Sequence, residues 1–60
     1  MSEVILDAIL DLQSSRALLK TTEDNHPERV FLIDALSRRI EKHRLRLLAL
    51  LDEATTNMTN

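Results

Sequence analysis

Residues 33–54 read IDALSRRIEKHRLRLLALLDEA. Within them Ile33, Leu36, Ile40, His43, Leu47, Leu50 and Ala54 recur at alternating steps of three and four. That is the a/d seam of a helix packed against another helix. The one polar residue in the seam is His43. A polar group at such a position specifies register or oligomeric state at some cost in stability, and an imidazole there makes assembly sensitive to pH near neutrality. The ordinary alternative is a histidine at the rim of the seam with one nitrogen hydrogen-bonded or hydrated.

Working outward, Pro27 and Glu28 stand just before this run, with Thr-Thr-Glu-Asp-Asn-His ahead of them at 21–26. Proline fits the first position of a helix, where its missing N–H has no partner to lose. It also pushes the preceding residue out of α geometry. The sequence therefore predicts a second helix over about 27–55, capped by Asn25 or His26, and a polar tail over 56–60. Asn57-Met58-Thr59 matches a glycosylation sequon, read as accidental because no signal peptide precedes it.

Toward the N-terminus, residues 3–21 contain no Gly or Pro. Ser2 is placed to cap them, and Glu3 and Asp7 suit the positive end of a helix macrodipole. At 100° per residue Val4, Ile5, Ala8, Ile9, Leu12 and Leu19 share one broad face, while Leu6, Leu10 and Ala17 lie opposite. The first helix is expected over about 3–21, with a loop at 22–26.

Composition agrees. The chain has 60 residues, no Gly, Cys, Trp or Tyr, and a single Phe. Leucine favours helix and the β-forming aromatics are nearly absent. The expected fold is all-α, an antiparallel two-helix hairpin forming one domain over residues 1–60.

A chain this short buries only roughly 60% of its unfolded surface and usually needs a disulfide, a metal or an oligomer interface. Without cysteine there is no disulfide, and two isolated histidines offer no metal site. Oligomerisation remains. A homodimer of hairpins, forming a four-helix bundle, is the expected assembly.

A turn centred between Asp24 and Asn25 would set Ile9 level with Ile40, Leu12 near Leu36 and Ile5 near His43 or Arg44. It would also set Glu3, Asp7 and Asp11 level with Arg46, Lys42 and Arg38. In that register Leu47, Leu48, Leu50 and Leu51 project beyond the first helix. They form the expected interface with a second copy or another protein, with Leu6 and Leu10 as a further contact and His43 at its edge.

The other candidate surface is basic. Residues 37–46 carry five Lys/Arg and one Glu, +4 in a chain whose net charge is −2, so the rest carries −6. Arg38, Arg39, Lys42 and Arg46 lie on one flank, and such a row can contact phosphates. The alternative function is accordingly a dimeric nucleic-acid-binding regulator, though the usual role of such a row is a solvated, partly paired face.

No nucleophile–base spacing, Gly-rich loop or substrate cavity is evident, so no enzyme activity, cofactor or small-molecule substrate is expected. No run of about 18 apolar residues suggests a membrane span. The expected role is a cytoplasmic, non-catalytic interaction module: a regulator, adaptor or chaperone-like protein.

Overall fold

The computed structural model describes residues 2–58. Two helices, α1 (Glu3–Asn25) and α2 (Val30–Met58), pack against each other as a helical hairpin. The molecule measures 50 × 16 × 11 Å, with a Cα radius of gyration of 14.4 Å. A compact chain of 60 residues has a radius of about 10 Å. The hairpin is a rod, two helices across and one helix deep.

Ser2 caps α1 as its chemistry requires: the hydroxyl accepts from the Val4 N–H at 3.2 Å, and its carbonyl accepts from Leu6 N–H. The other end of α1 differs from expectation. The helix runs to Asn25, four residues beyond the predicted stop at 21. The sequence signals for a stop were genuine: two threonines are weak helix formers, and Glu23 and Asp24 carry the wrong charge for a helix C-terminus. Thr22 overrides them. It is buried, with 6% of its surface exposed, and its hydroxyl is satisfied by the Leu18 carbonyl at 2.8 Å.

The turn is correspondingly later. The His26 N–H closes α1 on the Thr22 carbonyl, and the Arg29 N–H bonds back to the His26 carbonyl. Pro27 occupies the second position of that four-residue turn, where its fixed φ is preferred. It does not open α2. The first bond of α2 runs from Ile33 N–H to the Arg29 carbonyl. At its far end α2 continues past the expected residue 55 to Met58, and the hydroxyls of Thr55 and Thr56 bond back to the Leu51 and Asp52 carbonyls. The rest of the expected tail, residues 59 and 60, lies outside the described residues.

Moving the turn centre to between Pro27 and Glu28 slides the helices past each other by six residues, about 9 Å, relative to the expected register. Counting outward from the turn puts Leu19 opposite Leu36, Ser15 opposite Ile40, Leu12 opposite His43, Ala8 opposite Leu47 and Ile5 opposite Leu50. Shared clefts bear this out. One is lined by Ser15, Leu18 and Leu36, another by Ile5, Leu50 and Ala54. The expected pairing of Ile5 with His43 or Arg44 is therefore corrected.

The seam of α2 is as read from the sequence. Ile33, Leu36, Ile40, His43, Leu47, Leu50 and Ala54 are buried or half-buried, and every other residue of α2 from Val30 to Thr56 is exposed. The seam of α1 is different in kind. Its large residues, Ile5, Leu12 and Leu19, recur every seven positions. So do its small ones, Ala8, Ser15 and Thr22, which with Ile5 are its most buried residues. Small residues let two helix backbones approach closely. Each lies opposite a large aliphatic on α2: Leu47, Ile40 and Ile33 in turn.

Candidate functional surface

The seam divides the rest of the hairpin into two broad sides. On α2, Leu51, Arg44 and Leu48 follow the seam in one rotational direction, and Arg39, Arg46 and Lys42 follow it in the other. The shared clefts fix which flank of α1 joins which. Ser14 and Leu18 adjoin Arg39, and Val4 adjoins Glu53. The opposite flank of α1, carrying Leu6, Ile9, Gln13, Arg16 and Lys20, joins the side of Leu48 and Leu51.

The expected interface residues fall into two groups. Leu47, Leu50 and His43 belong to the intrachain seam and are half-buried within the hairpin. They do not overhang: the reach of α1 to Ser2 brings Ser2, Val4 and Ile5 alongside Leu50, Glu53 and Ala54. The picture of a leucine-rich end with nothing to cover it is thus corrected, because α1 is longer and the turn later than the sequence suggested. Leu6, Leu10, Leu48 and Leu51 are exposed, between 43% and 50%. Leu6, Leu48 and Leu51, with half-buried Ile9 between them, make one apolar patch on one side of the hairpin's open end. Leu10 and the equally exposed Leu45 stand at its two margins. Ile9 and Leu45 were not singled out for this surface. Their contribution depends on the register, which the sequence did not supply.

The basic residues also separate. Arg39, Lys42, His43 and Arg46 line one depression on the opposite side, and the Arg39 Nε–H donates to His43 Nε2 at 3.4 Å. Arg38 points elsewhere and pairs with Asp34 one turn earlier. Asp7 and Asp11 lie on the α1 flank that adjoins the depression, so this side carries acids beside its bases. Among the described residues no ion pair bridges the two helices. The pairs are local: Arg38 with Asp34, and Arg44 with Glu41 at 2.6 Å, while the His26 Nδ1 lies 3.5 Å from a Glu28 carboxylate oxygen beside the turn. The predicted cross-helix matching of Glu3, Asp7 and Asp11 with Arg46, Lys42 and Arg38 is lost with the register that generated it.

Arg44 donates twice to Glu41, at 2.6 and 3.1 Å. Those bonds hold the Glu41 carboxyl below the ordinary range and the Arg44 guanidinium above its own. Both groups are exposed, so the pair orients side chains more than it stabilises the fold.

Among the described residues no cluster of three or more His, Asp or Glu is arranged to hold a metal ion, and no helix is long and apolar enough to cross a membrane. Phe31, the single aromatic, is 87% exposed beside the turn.

No family model, no curated protein and no solved structure matches the chain.

Proposed function

We propose that the chain is a non-catalytic interaction module that pairs with a second copy of itself, joining two hairpins into a four-helix bundle through the side bearing Leu6, Ile9, Leu48 and Leu51. Such a bundle would act as a regulator, adaptor or chaperone-like partner of another protein.

The observation that carries this reading is the surface area. The chain exposes 4906 Å². A compact protein of 6.9 kDa exposes roughly 4000 Å². The excess, roughly 900 Å², is close to the approximately 800 Å² that each partner contributes to a standard interface. Two further features point the same way. Among the described residues only Ile5, Ala8 and Leu36 are buried apolar side chains, and no large side chain is fully enclosed. Chains near this size without disulfides or metals commonly complete their core by oligomerising.

The basic depression supports the second reading, a nucleic-acid-binding dimer, less well. Arg39, Lys42 and Arg46 do converge there, but Asp7 and Asp11 on the adjoining flank oppose a polyanion, and Arg38 is engaged by Asp34.

Two double variants separate the readings. Leu48→Glu with Leu51→Glu should abolish self-association measured by size-exclusion chromatography with light scattering. Arg39→Glu with Lys42→Glu should leave it intact. A salt-sensitive complex with RNA or DNA that the second variant alone removes would favour the nucleic-acid reading instead.

A further inference from the structure

Exposed apolar surface and exposed charge are not mixed along the leucine side of the hairpin. Leu6, Ile9, Leu48 and Leu51 occupy the half near the chain ends. The half near the turn carries Arg16, Lys20 and Glu23 on α1, and Asp34 and Glu41 on α2. By the register of the turn, Glu41 is within about two residues of the level of Arg16, and Asp34 within about one of Lys20. Arg44, the remaining charge on this side of α2, is held by Glu41, and Asp34 is held by Arg38.

From this segregation we infer that the two copies lie with their turns at the same end, related by a two-fold axis parallel to the helices. The inference rests on the self-association proposed above and adds the orientation. In a face-to-face pair, an axis along the helices stacks α1 of each copy on α2 of the other at equal height. Leu6 and Ile9 then meet the partner copy's leucines, and the charged half of each copy meets the charged half of the other. An axis across the helices stacks α1 on α1 and α2 on α2 in opposite directions. With full overlap that arrangement sets the leucine half of each hairpin against the charged half of the other, leaving apolar side chains on guanidinium, ammonium and carboxylate groups. Sliding the copies until the leucines meet restores the apolar contact, but it leaves the turn halves unpartnered. The same-end bundle is the arrangement that buries the full side and keeps the leucines off the charged half.

The chain has no cysteine, so a single introduced thiol reports orientation without interference. Glu28→Cys sits in the exposed turn, away from the leucine side, and carries a nitroxide label. Pulsed electron–electron distance measurement on the dimer reads the separation of the two turns. Neighbouring helices in a bundle are about 10 Å apart, so the same-end dimer gives a distance below about 30 Å, linker included. Either opposite-end arrangement separates the turns by more than about 40 Å, from the rise of 1.5 Å per residue. A short distance in a sample that sediments as a dimer supports the inference. A long distance in such a sample overturns the orientation while leaving self-association standing. A sample that sediments as a folded monomer overturns the self-association reading itself.

Discussion

Ile5 and Leu50 line the same cleft at the open end of the hairpin. That single neighbour relation fixes the register, since it requires the turn to centre on Pro27 and Glu28 rather than three residues earlier. It also decides which leucines are spent inside the chain and which remain for a partner.

Ala8, Ser15 and Thr22 are buried in the hairpin, and replacing a small residue there should destabilise even when the new side chain is apolar. Ala8→Leu inserts three heavy atoms opposite Leu47 and should cost about 1–3 kcal/mol. Chemical denaturation followed by circular dichroism measures it. A neutral or stabilising effect would mean that the helices do not approach closely at this layer.

Leu36 is the most buried large side chain, at 7% exposed. Leu36→Ala should cost about 2–5 kcal/mol, enough to unfold a chain with so thin a core. Loss of the helical signal at 25 °C is the expected result. A well-folded variant would show that the Leu19–Leu36 layer contributes less than its burial implies.

His43 occupies a seam position opposite Leu12, half-buried and turned toward Arg39. His43→Leu should raise stability by about 1 kcal/mol, since a partly enclosed leucine there gains apolar contact. The thermal midpoint should rise by several degrees. An unchanged or lower midpoint would assign the imidazole a stabilising role beyond its bond to Arg39.

The Glu41–Arg44 pair has a defined pH signature. Because the folded chain holds the Glu41 carboxyl below its ordinary range, the pair's contribution is present above that range and is lost as the pH falls through the lowered folded value. The carbon-13 titration of Glu41 should therefore have a depressed midpoint that moves back up in Arg44→Gln. Identical titration in the two proteins would mean that the pair is not held in solution.

Much of this fold was legible in residues 33–54, because large aliphatics at steps of three and four suit a packed helix and almost nothing else. The seam of α1 was only half legible. Ile5, Leu12 and Leu19 announce themselves, whereas Ser15 and Thr22 are polar and look like surface. Their signal is the seven-residue spacing from Ala8, in phase with the large residues. The helix end was misread for a related reason. Local propensity at Thr21-Thr22-Glu23-Asp24 opposes a helix, and packing of Thr22 against α2 prevails. The candidate surface inherited that error. Leu48 and Leu51 remain exposed in either register, but Leu47 and Leu50 change from interface to seam when the turn moves by three residues.

If this hairpin is half of a bundle, two chains travel together in solution. Sedimentation equilibrium of the full chain, at concentrations where circular dichroism reports the helices intact, tests it most directly. The expected mass is twice the 6.9 kDa of one chain, with helical signal lost on dilution as the dimer dissociates. A mass of one chain, with helicity independent of concentration, would contradict it.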